Sequence, residues 1–333
     1  MMSVAGFAEK DLIADPSADP MSRGQDVKLR SIAMSLSPVA GFGLDVGHNL
    51  NLASSFTNFG TGAELNAGFL SNSTLASPYL GLADGGDYVG VNFAPNTSLK
   101  MRFGYQSLSR DDAAYRFVAG IPTTIADPTA REAQAMLVGA TYTLTPWASV
   151  GLTVTHAREQ GSVMGGYTTG ALALGDVTTT SAAGFSSRVS MGSGWETNLS
   201  WSGGTTDLGI APEGLLVSAN RVWSQSYGIG LTKRELFGDD AVSFALSRPV
   251  HVTGGSATLR AATGLDSNLN LIFDSEHLSL ATQHPETDFE FGYAAQILGG
   301  AVALRTNAIY QTNVGGEAGR DGVAVLARAA LKL

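Results

Sequence analysis

From Glu286 to Leu333 the side chains alternate in character with a period of two. Phe289, Phe291, Tyr293, Ala295 and Ile297 share one parity, and Asp288, Glu290, Gly292, Ala294 and Gln296 share the other. After Leu298-Gly299-Gly300 the pattern restarts: Val302, Leu304, Thr306, Ala308 and Tyr310 oppose Ala303, Arg305, Asn307 and Gln311. The last segment sets Val323, Val325, Ala327, Ala329, Leu331 and Leu333 against Ala324, Leu326, Arg328, Ala330 and Lys332. Period two is the repeat of an extended strand, and the Gly-Gly step is a hairpin turn. Each strand therefore has one apolar face and one small or charged face.

Two architectures accommodate such strands. In a soluble sandwich the apolar face is core; in a transmembrane barrel it meets lipid and the other face lines a lumen. Only 15% of the 333 residues are charged, against roughly 25% in ordinary soluble domains. Glycine is abundant, at 41 residues, which suits strands whose outer surface is not in water. No apolar run reaches the roughly 18–20 residues of a spanning helix, so a membrane form must be a barrel, the other structure that satisfies every backbone group in lipid. The absence of cysteine removes disulfides, thiolate metal sites and cysteine nucleophiles, and suits an oxidising compartment. A net charge of −9 with no basic cluster argues against nucleic acid.

Along the chain, residues 1–25 carry Asp11, Asp15, Asp19 and Pro/Ser/Ala-rich steps and read as a linker or passenger remnant. Residues 26–60 form a junction. Within it Leu29, Ile32, Ala33 and Leu36 recur at helical spacing behind Asp26, which makes Asp26–Ser37 a candidate plug helix, although Ile32, Met34 and Leu36 also alternate as in a strand. Residues 61–333 read as the barrel. Its strands include Glu64–Leu70, a hairpin turning at Pro95–Thr97, a second over Thr145–Pro146, a third across Gly192–Gly194 and a fourth around Phe237–Asp239. Long connections fall between the short ones: Leu108–Ala130, Gln160–Ala183, Gly203–Arg221, Pro249–Pro285 and Thr312–Gly322. Short periplasmic turns alternating with long extracellular loops are the habit of outer-membrane barrels. Aromatics near strand ends, among them Tyr88, Trp147, Trp195 and Trp201, suit interfacial girdles. The fold expected is an all-β transmembrane antiparallel barrel of about twelve strands. Its lumen would be lined by Lys100, Arg102, Arg188, Glu196, Asp288, Glu290, Arg305, Arg328 and Lys332.

The stretches Ala241–Val250, Glu286–Tyr293 and Gly322–Leu333 resemble the C-terminal translocator barrel of autotransporters, of the type that follows subtilisin-like serine peptidase passengers. The resemblance covers roughly residues 60–333. It implies a twelve-stranded barrel with an N-terminal helix threaded through its pore, which would place the chain in type V secretion of a Gram-negative outer membrane. Its partners would be outer-membrane lipid, its own passenger and the barrel-assembly machinery, with Val323, Val325, Ala327, Ala329, Leu331 and Leu333 as the assembly signal. Such barrels usually end in an aromatic; this one ends in Leu333. Met1–Lys10 lacks a basic region followed by an apolar one, so no secretory leader is expected there, and for an outer-membrane site the chain is expected to be the C-terminal part of a longer precursor.

No catalytic residue, cofactor or metal site is expected, and peptidase activity would reside in a passenger. His277-Leu278-Ser279 has a spacing similar to that of outer-membrane phospholipases, but no third member accompanies it. His156 continues the outward register of Val154, and His48, His251 and His284 are scattered. Asp207, Asp239, Asp240 and Asp266 sit with Gly or Asn in expected loops and suit turn chemistry. The expected role is export and anchoring of a passenger. A porin-like small-solute channel is the alternative, and an outer-membrane hydrolase the third reading.

Overall fold

The computed structural model describes residues 2–10, 27–48, 77–83, 85–109, 132–166, 177–210, 214–297 and 302–331, with the backbone alone at 2–10, 27–33, 303 and 328–331. Its strands are β1 (Met2–Lys10), β2 (Val27–Val39), β3 (Phe42–His48), β4 (Asp87–Phe93), β5 (Leu99–Leu108), β6 (Glu132–Thr145), β7 (Ala148–Gln160), β8 (Val177–Gly192) and β9 (Trp195–Asp207). They continue as β10 (Leu216–Ala219), β11 (Val222–Arg234), β12 (Asp240–Gly254), β13 (Ser256–Leu265), β14 (Leu271–Ser279), β15 (Thr287–Ile297), β16 (Val302–Thr312) and β17 (Gly322–Leu331). Fourteen of them form one sheet in chain order, with β10, β13 and β14 set apart as a three-stranded sheet. Neighbours pair antiparallel from β1–β2 to β16–β17. The chain is thus a continuous meander.

The turns explain the register. Gly41, between β2 and β3, has φ +80°, and a Cβ there would stand 2.6 Å from the Ala94 carbonyl oxygen. The Asn96 carboxamide accepts from the amides of Ser98 and Leu99 and fixes the entry to β5. Ser193 and Gly194 both take positive φ, the geometry that matches a tight hairpin to the twist of its strands. The Asp240 carboxylate accepts from the amides of Leu236 and Phe237 and closes the turn before β12. Because every short connection (40–41, 94–98, 146–147, 193–194, 235–239, 298–301) alternates with a long one, the two sets lie at opposite rims.

Among the described residues fourteen strands form the sheet where twelve were expected. The additions lie at the N-terminal end, where a linker and a junction with a helix were expected: residues 2–10 form β1, Asp26–Ser37 falls almost wholly in β2, and Phe42–His48 forms β3. The alternation Ile32, Met34, Leu36 prevails over the helical spacing because pairing with β1 on one side and β3 on the other satisfies both backbone edges of β2. Glu64–Leu70 lies outside the described residues. The expected Pro249–Pro285 loop is not irregular either: β12 runs on to Gly254, and β13 and β14 form a long hairpin beyond it. Likewise β8 and β9 extend into the connections assigned at 160–183 and 203–221.

The two faces of the sheet are dressed inside out. Phe103, Met136, Val138, Leu152, Val154, Leu199, Ile229, Phe244 and Phe291 are exposed, whereas Asp45, Asn92, Gln106, Thr155, Glu159, Ser202, Ser226, Ser243, Glu290 and Asn307 are buried. In water this arrangement would leave the apolar face unsatisfied along the whole sheet, since soluble proteins rarely expose contiguous apolar patches of such extent.

Candidate functional site

The buried face is the site. Its parity is set by the strand pleat: in β5 Lys100, Arg102, Gly104 and Gln106 alternate with the exposed Met101 and Phe103, and the same alternation places Glu196 in β9 and Asp288 and Glu290 in β15. Small residues dominate the middle of this face, because side chains on the inside of a curved sheet converge. A Cβ on Gly151 would stand 2.5 Å from Ser186 Oγ, and one on Gly184 the same distance from Thr153 Oγ1.

A 3-10 helix, Pro78–Ala83, lies against this face, and sequence periodicity missed it because six residues are too few to display a repeat. Tyr79, Leu80, Leu82 and Ala83 are buried in one cluster with Ala133, Ala135 and Leu137 of β6, Ala157 of β7 and Ala182 of β8. From the other side Tyr79 Oη meets Ser224 Oγ of β11 at 2.9 Å, and the ring fills the space above Gly204 of β9, where a Cβ would approach it to 2.8 Å. One short helix touching both β6 and β11 means that the sheet curls around it. Burial pushes the Tyr79 hydroxyl above its ordinary pKa, and the bond with Ser224 opposes that shift. The contact residues lie one to five positions below the strand ends at the long-connection rim, or roughly 3–17 Å at strand rise.

Charged groups are sorted by rim. Near the short turns stand Lys100 and Arg102, and the carboxylate of Glu196 is shared between Arg188, which donates through Nη2, and Arg234 at 3.6 Å. Arg305 lies on the same side of the strand midpoint, its backbone paired with Ala294 and with Arg328. Toward the long connections, Asn307 Nδ2 donates to Glu290 Oε1 at 2.8 Å. Gln311 Nε2 donates to Glu286 Oε1 at 3.0 Å and to Asp288 Oδ1 at 3.3 Å. Glu159, buried at that rim, accepts from Ser162 Oγ and from the amides of Met164 and Gly165, and so closes the turn after β7. Asp45, at the midpoint of β3 and so sorted to neither rim, accepts from Ser35 Oγ and from Asn92 Nδ2 at 2.7 Å. Hydroxyl pairs add to this face, Thr180–Thr206 close to the long-connection rim and Ser202–Ser226 nearer the middle.

The remaining candidates separate. Lys332 and Leu333 lie outside the described residues; for Arg328, Ala329 and Leu331 the backbone alone is placed, within β17. Val323, Val325 and Ala327 are exposed, as is His156, whose Nδ1 lies 3.1 Å from Ser181 Oγ. His277 is not in a loop but in β14, where its Nδ1 meets Thr258 Oγ1 at 2.9 Å and Ser279 pairs with Ser256. Among the described residues no group of three or more His, Cys, Asp or Glu side chains is arranged to hold a metal ion. Asp207 pairs with Arg221, and Asp266 closes the β13–β14 tip by accepting from the amides of Asn268 and Asn270 and from Asn270 Nδ2.

No family model and no curated protein matches the chain. Among solved structures it is similar to an outer-membrane OmpT of Vibrio cholerae, at 12% identity and TM-score 0.47 over 91% of this chain and 79% of that one. It is also similar to an anion-selective porin from Comamonas acidovorans, at 10% identity and TM-score 0.45 over 90% and 87%. OprB of Pseudomonas putida stands at 14% identity and TM-score 0.47 over 92% and 72%. None reaches a TM-score of 0.5, too little to assign a function.

Proposed function

We propose that the chain is an outer-membrane β-barrel whose polar inner face lines a narrow solute channel, constricted by the helix Pro78–Ala83. The observation that carries this reading is the inverted dressing of the sheet: large apolar side chains outside on nearly every strand, carboxylates, guanidinium groups and hydroxyls inside. In lipid this order is favourable, and in water it is not. Closure would join β1 to β17. Counted through an even-numbered meander, these strands run antiparallel, and both outer ends of the sheet fall at the short-turn rim.

The translocator reading requires a helix threaded through the lumen. Of the segment expected to supply it, Asp26–Ser37, the described part (residues 27–37) lies in strand β2, and the 3-10 helix bridges the interior between β6 and β11. Both features favour the channel. Conductance in planar bilayers tests it. The intact protein should give small, steady steps, and removal of residues 77–83 should enlarge them. A protein that folds as a heat-modifiable barrel yet conducts in neither form would end the channel reading.

A further inference from the structure

We infer that the channel is an axial charge junction and rectifies ion current, an inference that rests on the channel reading above. Among the described residues the inner face carries fixed charge of opposite sign at its two ends. Lys100, Arg102, Arg188 and Arg234 stand within a few residues of the short turns and outnumber the carboxylates of Glu196 beside them and Asp45 at the midpoint of β3, so that end is net positive. Glu286, Asp288 and Glu290 stand at and just below the long-connection rim, where the side-chain amides of Gln311 and Asn307 donate to them.

A narrow bore edged by low-dielectric walls focuses the field of such groups and concentrates counter-ions beside them. Cations accumulate at the acidic mouth and anions at the basic one. When the long-connection side is made positive, cations enter through the acidic end and anions through the basic end, both fill the bore, and conductance rises. The opposite polarity draws each ion away from the zone that attracts it and empties the bore. The effect requires each zone to reach across the opening, so it belongs to low salt, where screening extends about 30 Å at 0.01 M and only about 3 Å at 1 M.

The test is a current–voltage curve from single channels inserted in one orientation. The intact protein in potassium chloride at about 0.01 M should pass roughly twofold or more current with the long-connection side positive, and a nearly equal current at both polarities at about 1 M. Glu290→Gln with Asp288→Asn, and separately Lys100→Gln with Arg102→Gln, should each bring the low-salt ratio toward one while channels persist. Heat-modifiable migration of each variant establishes that it folds. A symmetric curve for the intact protein at low salt overturns the junction and leaves the channel standing. Rectification untouched by both double variants also overturns it, and absence of any conductance overturns both readings together.

Discussion

At Gly86 there is no room for one more carbon: a Cβ would stand 1.9 Å from the Ser107 carbonyl oxygen, backbone that cannot rotate aside. Gly264 in β13 has nothing within 4 Å of the same atom. Gly86→Ala should therefore cost about 1–3 kcal/mol by overpacking, while Gly264→Ala should be neutral or slightly stabilising. The urea midpoint of the detergent-folded protein separates them. The outer face obeys the reverse logic. Val138, 53% exposed in the middle of β6, faces lipid in the channel reading, and Val138→Arg should cost about 2–4 kcal/mol. Leu144→Arg, at the end of the same strand, should cost about 0–1 kcal/mol, because its head reaches the interface. Equal effects at both positions would mean that the face is not graded by membrane depth. At this scale parity was legible in the sequence, since the pleat alone dictates that Lys100 and Arg102 share a face opposite Met101 and Phe103. The partners of those groups were not legible. Glu196 binds Arg188 and Arg234 because β8, β9 and β11 are neighbours, a fact about pairing that no local pattern contains.

Among elements, those flanked by tight turns were the readable ones: β5 through β7 and β15 through β17 show unbroken alternation between recognisable turn residues. The β13–β14 hairpin was not readable because both of its faces are largely exposed, so no burial contrast was imposed on Leu271-Ile272-Phe273. Its tip depends on Asp266, whose carboxyl is held below its usual range by the Asn270 side chain, the Asn270 amide and the Asn268 amide. A lowered pKa contributes stability that is present above the ordinary carboxylate range and is lost as pH falls through the depressed value. Backbone order at Asn268 and Asn270, followed by NMR, should thus hold at neutral pH and decay in strong acid. Asp266→Ala should produce the same disorder at neutral pH. The inner 3-10 helix offers a second element-level test. Gly204→Val would drive a side chain into the Tyr79 ring, and it should dislodge the helix and raise conductance without removing any group that faces the bulk of the lumen. Tyr79→Phe, which loses only the bond to Ser224, should cost about 0.5–1.5 kcal/mol and change conductance little.

For the whole molecule, the alternation of long and short connections decides which strand ends share a rim, and it was legible before any pairing was known. The strand number was not. It depended on segments at the N-terminal end whose patterns suit helix and strand alike, and only the register of β2 between β1 and β3 decides between them. Closure can be tested directly because the natural chain has no cysteine. Single cysteines placed along residues 2–10 and paired with one at Val325 should form a disulfide at one register, visible as a faster unheated band; failure at every register would mean an open sheet.

The unbroken order of the meander also governs how the molecule is made. Every pairing from β1 to β17 joins strands consecutive within the large sheet, so hairpins can form and add one by one as the chain lengthens. The seam proposed between β1 and β17 is the exception. It would bring the first strand to the last across nearly the full sequence, and loop-closure entropy makes such a contact slow. Until it formed, two strand edges and a broad apolar surface would stay open, a template for other chains. The hazardous period of this protein's life is accordingly the interval before β17 arrives, and its yield on refolding should fall with concentration more steeply than its finished stability suggests.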